Sequence, residues 1–355
     1  MPLIAPHLTN YRLRRAEKLA GKGDRGRAIE YLLTRNEGRN RAALERALVD
    51  LLLEGETETQ SRDLARTKPG DVLTVQPGEV PEIPAAELSA AVLHEAIGKA
   101  GHLIVRGLFA EADVTRLRDC IDHALDSRYA VSSQARPPAD DDPWYYPSPK
   151  FPGMHEGFSQ LAHQKQYGRT GSMMVIDSPR GTSATLEFFR KYGMKALLED
   201  YFGEPSVIAT RKWTFRLVEP KEIKRNWIGG GWHQDGQFMG EGVNALNLWA
   251  PLSDCGDDTD APGIALLPRR LNRVLEYGTH EAKIEWMVGP ELVRELAAET
   301  PVVTPHFNAG DALFFDQFSL HRSGHVPGKR RQRYALESWF YGRSGTGGNA
   351  VLPLV

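Results

Sequence analysis

Cysteine is scarce in this chain of 355 residues: Cys120 and Cys255 are its only two. That is too few for a disulfide framework or a thiolate zinc cluster, and two free thiols in a reducing cytoplasm is the expected state. No apolar run approaches the ~20 residues of a membrane-spanning helix. The opening stretch, MPLIAPHLTNYRLRRAEK, has neither the apolar segment nor the cleavage site of a signal peptide. An excess of one charge is also missing. Lys and Arg number 44 against 46 Asp and Glu, a net charge of -2, so no global field draws the molecule to nucleic acid or an anionic membrane. A GxxxxGK[ST] phosphate loop is absent, which removes support for a nucleotide-binding α/β fold. Proline is missing between Tyr11 and Gly55.

What is present there is helical periodicity. Leu13, Ala16, Leu19 and Ala20, then Ala43, Leu44, Ala47, Leu48, Leu51 and Leu52, predict two amphipathic helices broken near Gly21–Gly26 or Gly38. Their outer faces are rich in Arg and Lys. Pro, Gly, Thr and Glu dominate from Thr57 to Pro84, the composition of a linker. Helices are expected at Leu88–Ala100, Glu111–Leu125 and Thr185–Phe202, with a strand in GHLIVRGLF. Residues 131–153 carry Trp144, Tyr145, Tyr146 and Phe151 among prolines, a candidate lid or an aromatic loop packed on the core. Beyond Phe202 the apolar period becomes two. Strands are expected at Val207–Val218, Trp227–Asp235, Ala245–Leu252, Ile264–Leu267, Val302–Thr304, Ala312–Phe315 and Tyr334–Tyr341, a pattern of an antiparallel barrel or double-sheet jelly roll.

The chemistry concentrates in GGGWHQDGQF and NAGDALFFDQFSLHRSGHVPGKRRQRYALESWFY. His233 and Asp235, two apart on an expected strand, leave one face together and can meet one ion. An imidazole and a carboxylate are two of the three ligands of a facial triad for non-heme Fe(II), and a candidate third, His321, lies just beyond the expected strand Ala312–Phe315. His325 competes with it but lies deeper in a Pro-Gly turn. Arg333 enters the next strand and offers a bidentate fork to a distant carboxylate, with Ser323 as a hydroxyl donor; Arg330 and Arg331 fall in the preceding turn. Asn247 and Trp249 share a face and either line a pocket or pack in the core, and Arg211, Trp213 and Phe215 form a similar row. Glu337 falls on the face of Arg333, and because an interior carboxylate needs a partner, either it contacts Arg333 or substrate or a bulge breaks the alternation.

These residues resemble the phytanoyl-CoA dioxygenase family of Fe(II)/2-oxoglutarate-dependent oxygenases, from roughly Leu103 to Tyr341. The likeness is strongest in WHQD (Trp232–Asp235), GDALFFD (Gly310–Asp316), HRS (His321–Ser323) and RYALESWF (Arg333–Phe340). It implies an α+β chain whose mainly β core is a double-stranded β-helix, a cupin-like jelly roll with flanking helices. It further implies iron on His233, Asp235 and His321, and 2-oxoglutarate anchored by Arg333 with help from Ser323. The implied reaction, with O₂, hydroxylates a C–H bond of a small molecule (a lipid, an amino-acid derivative or a natural product) and releases succinate and CO₂. Related halogenases lack a carboxylate at the position of Asp235, so halogenation is disfavoured. DAPGIALLPRRLNR (Asp260–Arg273) departs from the family's Asn-Gly and Pro-Gly-Ser-His segments, which bears on the substrate more than on the iron. The expected organisation is a helical extension over 1–56, a linker over 57–84 and an oxygenase domain over 85–345, in the cytoplasm. Neither a nucleic acid nor a membrane is an expected partner, and the N-terminal helical pair is a candidate homodimer contact. The rival reading is a non-catalytic metal-binding β-barrel that engages partners through its basic N-terminal helices.

Overall fold

The computed structural model describes residues 4–55, 71–133, 142–146, 171–218, 231–324 and 328–355. Without proline, the N-terminal segment coils into three helices where two were expected: α1 (Ile4–Ala20), α2 (Arg25–Asn36) and α3 (Ala42–Glu54). Both glycine clusters break it, because Gly23 and Gly38 adopt left-handed backbone (φ 79° and 66°) that other residues resist. Gly21, Gly23 and Gly26 have the spacing of a dinucleotide loop, but they join two helices with no strand before them and form a turn. The apolar faces of these helices (Ile29, Leu32, Leu33, Leu44, Leu48, Leu52) belong to the main core.

Within the expected linker, Glu82–Pro84 forms strand β1, parallel to β2 (His102–Arg106). Between and after them run α4 (Ala90–Ala100) and α5 (Glu111–Ser133). Strand β3 (Gly171–Met174) leads to α6 (Pro179–Lys191) and α7 (Met194–Phe202), two helices in place of the expected one because Gly193 turns left-handed between them (φ 64°). The remainder is β4 (Ser206–Val218), the short α8 (Gly236–Met239), β5 (Ala245–Pro251), β6 (Gly263–Leu266), α9 (Pro290–Glu299), β7 (Ala312–Phe315), β8 (His321–Gly324), β9 (Arg333–Gly342) and β10 (Val351–Pro353). Three expectations change. Of Trp227–Asp235, residues 227–230 lie outside the described residues and 231–235 make one bridge, His233 to His321, rather than a strand. Val302–Thr304 likewise reduces to a bridge from Val303 to Leu266. Helix α9 was not foreseen.

An eight-stranded sheet runs β1-β2-β7-β5-β9-β4-β10 with β3 beside β4, and β6 pairs with β8 in a second sheet. The chain is thus a mixed α and β fold around one large sheet. Alternation splits that sheet between two cores. Leu248, Phe314, Leu336 and Phe340 face the helices. Ala245, Trp249, Leu313, Phe315, Ala335, Trp339 and Tyr341 face the other way, toward Ile264 and Leu266 of the small sheet. Strand β4 changes phase halfway. Its register against β9 shifts between Ile208 and Trp213, so Ile208 and Trp213 both point at the helices while Val207 and Ala209, then Lys212, Thr214 and Arg216, occupy the inner face. Arg211 is left exposed.

Of residues 131–153, 134–141 and 147–153 lie outside the described residues. Trp144 stacks on His123 at 4.7 Å and Arg46 covers Tyr146 at 4.5 Å, so this aromatic segment packs on helices. Both cysteines are buried and unpaired. Among the described residues no helix is long and apolar enough to cross a membrane.

Candidate functional site

His233 and His321 are brought together by a reciprocal backbone pair, each N–H donating to the other's carbonyl at 3.0 Å. Their rings lie 4.4 Å apart. The segment between His233 and Asp235 is fixed by Gln234, fully buried. Its amide nitrogen, Nε2, donates to Phe318 O at 2.7 Å and Arg273 O at 3.1 Å, while its Oε1 accepts from Leu275 N at 2.6 Å. Asp235 then opens α8 in helical backbone, so it reaches the histidines through a tight turn, not through the strand alternation expected from its spacing.

Each imidazole turns its Nδ1 to a carbonyl, His233 to Gly231 at 2.8 Å and His321 to Ser319 at 3.1 Å. A carbonyl only accepts, so Nδ1 carries the proton and Nε2 keeps a free lone pair, the state that ligates a metal. Asp235 Oδ2 lies 4.0 Å from His321 Nε2. Trp339 Nε1 donates to that oxygen at 3.0 Å and Lys212 Nζ to Oδ1 at 2.6 Å. Burial works to raise the Asp235 pKa, but Lys212 first, then His321 and His233, outweigh it and hold the carboxyl well below the ordinary carboxylate range. Burial, reinforced by the neighbouring His233 and only partly offset by Asp235, lowers the pKa of His321 to about 4. Burial lowers His233 as well, against Asp235. Two neutral imidazoles and an ionised carboxylate therefore coexist at neutral pH.

That donor set fits a divalent ion of intermediate softness. Among the described residues no three His, Cys, Asp or Glu side chains are gathered closely enough to hold an ion without movement. Adjacent ligands ~2.1 Å from one ion stand ~3 Å apart, so the 4.0 Å gap closes with a shift of about 1 Å by the carboxylate.

Arg333 lies on the inner face of β9, only 3% exposed. Its Nη1 donates to Gly263 O at 2.6 Å, its guanidinium lies over the Trp249 ring at 5.4 Å, and its Nε has no hydrogen-bond partner. It makes no ion pair among the described residues. Burial lowers its pKa to about 10, which leaves it protonated at neutral pH. Ser323, on β8, is one residue from Gly324, which pairs with Gly263, so it sits on the small sheet beside the carbonyl that Arg333 holds. Arg330 is in the turn, bonded to Asp260, and Arg331 is exposed. His325 lies outside the described residues.

Asn247 is fully buried between Trp339 and Phe315 of the flanking strands, and neither atom of its amide has a partner. A buried amide with neither atom partnered is a polar group whose hydrogen-bonding capacity is left for a ligand or water. Glu337 does have a partner: Arg216 Nη2 lies 2.6 Å from its Oε2. Trp213 and Phe215, expected in a row of site residues, face the helices instead. Lys212 and Arg216 hold those inner positions because the bulge in β4 reverses its phase, and nothing in the sequence announces the reversal. Phe238 and Trp286, edge-on to His233 at 6.2 and 5.8 Å, were missed because a single helical turn and an irregular segment are too short to show a period.

No protein-family model and no curated protein matches the sequence. Similar solved structures include EctD from S. alaskensis with 2-oxoglutarate and 5-hydroxyectoine, at TM-score 0.48 and 15% identity over 81% of this chain and 86% of that one. The apo form of the same protein gives 0.47 and 16% over 82% and 88%. AviO1 from Streptomyces viridochromogenes Tue57 gives 0.42 and 17% over 72% and 95%.

Proposed function

We propose that the chain is a non-heme Fe(II)- and 2-oxoglutarate-dependent oxygenase that hydroxylates a C–H bond of a small molecule. Its core, on this reading, is a double-stranded β-helix of the phytanoyl-CoA dioxygenase type over residues 85–345. The observation that carries the reading is Arg333, a buried guanidinium without a carboxylate partner among the described residues, on the same face of β9 as Trp339, whose indole N–H binds Asp235. A structural metal needs no such cation, whereas a cosubstrate with a carboxylate at each end needs a counter-charge at the end remote from the metal.

His233 Nε2, His321 Nε2 and an oxygen of Asp235 would hold the iron. Ferrous iron with 2-oxoglutarate and O₂ supplies the oxidising power that breaks a C–H bond, releasing succinate and CO₂. The protein's own share is positional. Trp339 and Lys212 fix the carboxylate, the two carbonyls fix the imidazole tautomers, and Arg333 with Ser323 receives the far carboxylate. Asn247 offers an amide donor to the same space. Phe238, Trp286 and Lys212 frame the edge of His233 that is partly exposed, where the substrate would enter.

Purified protein mixed anaerobically with Fe(II) and 2-oxoglutarate should develop a visible charge-transfer band. The band should vanish in Asp235→Ala, while Arg333→Met should retain Fe(II) binding and need at least tenfold more 2-oxoglutarate. No band in the wild type, or a band that persists in Asp235→Ala, defeats the reading.

A further inference from the structure

At the opposite end of the chain, α1 and α2 line an open cavity of about 440 Å³ bordered by Leu8, Tyr11, Arg12, Arg15, Tyr31 and Arg35. Arg12 and Arg15 stand one turn apart on α1, and Tyr31 and Arg35 one turn apart on α2. The guanidiniums of Arg15 and Arg35 both lie over the Tyr31 ring, at 5.8 and 5.7 Å, so two like charges converge on one side chain. Arg12 is 9% exposed and makes no hydrogen bond or ion pair among the described residues, and neither Arg15 nor Arg35 has an ion pair there. Three cations gather here without an ion-pair partner among the described residues, Arg12 nine-tenths buried and Arg15 and Arg35 exposed beside it, a positive cluster that an anion would neutralise.

We propose that this cavity is a binding site for a phosphate-bearing ligand of about nucleotide size. Arginine forks match phosphoryl oxygens in pairs, and three of them exceed what one carboxylate can engage. The volume falls within the range of small-molecule sites and is larger than a bare phosphate requires. Tyr11, 58% exposed at the rim, presents a ring on which a flat base can stack. Helices α1 and α2 pack on α3 and α6, so the site stands apart from the strands bearing His233, Asp235 and His321. It holds whether or not the oxygenase reading does.

The phosphoryl group can belong to a free nucleotide or to a lipid headgroup, and titration of the full chain with ADP, with pyrophosphate and with phosphatidylglycerol vesicles separates the two. Calorimetry and vesicle co-sedimentation are the readouts. ADP binding tighter than pyrophosphate identifies a nucleotide-like ligand, and binding to vesicles alone identifies a headgroup. Arg12→Met and, separately, Arg35→Met should each weaken binding by roughly 10- to 100-fold, the loss of charge-assisted hydrogen bonds. Arg14→Met removes the same charge from α1 outside the cavity and should leave binding unchanged. Circular dichroism confirms that each variant folds. The proposal is overturned if none of the three ligands binds at millimolar concentration, or if Arg14→Met weakens binding as much as the two cavity variants.

Discussion

Both oxygens of Asp235 are engaged, and the two groups that engage them differ in kind. Lys212 supplies charge, whereas Trp339 supplies direction, since its indole N–H binds the oxygen nearer His321. Removing direction while keeping the ring volume isolates that contribution. Trp339→Phe should lower the affinity for Fe(II), or for Mn(II) as its spectroscopic substitute, by 10- to 100-fold, with little change in fold, as measured by metal titration. An unchanged affinity would show that Lys212 alone orients the carboxylate. At this scale the sequence was legible where chemistry dictates residue type. His233 pairs with His321 through the backbone, Asp235 Oδ2 lies 4.0 Å from His321 Nε2, and Arg333 lies beside Trp249, while their roles rest on the proposal above. Lys212, Trp286 and Phe238 were illegible because a strand bulge, a loop and a single helical turn, none of them with a readable period, deliver them.

Elements were legible wherever a single period ran unbroken, as in α4, β2, β5, β7 and β9. They failed at glycines and at bridges too short to form a pattern, which is why three N-terminal helices read as two. What fastens those helices to the rest is a buried polar contact rather than apolar area alone. Glu45 on α3, fully enclosed, meets Arg180 of α6 at 3.2 Å and accepts from Asn36 Nδ2 of α2 at 3.2 Å. Glu45→Ala leaves a guanidinium and an amide without their acceptor and should destabilise the protein by about 3 kcal/mol in urea unfolding. A loss under 0.5 kcal/mol would mean that solvent replaces the carboxylate, as at an exposed pair.

For the molecule as a whole, the large sheet acts as a partition: the helix-side core carries most of the apolar burial, and the inner side gathers His102, Asp235, His321, Arg333 and Glu337. Such a division has a pH signature. His102 on β2 is fully buried, bonded to Ala100 O at 3.1 Å and Ser319 Oγ at 2.6 Å, and burial lowers its pKa from 6.5 to about 3. Between those values the unfolded chain binds a proton that the folded one does not, so stability falls as pH drops below about 6.5, by up to about 1.4 kcal/mol per pH unit from this group. His321 adds to the same trend. Urea unfolding at pH 7 and pH 5 should show the decline, and His102→Gln should flatten it; equal slopes in both proteins would assign the acid sensitivity elsewhere. The phase change in β4 has a consequence for ancestry and for engineering. Deleting or adding one residue between Ile208 and Trp213 would swap the aromatic and cationic walls of that strand in a single event. Descendants of this chain could thereby exchange their interior repertoire wholesale, with no point mutation at the centre itself.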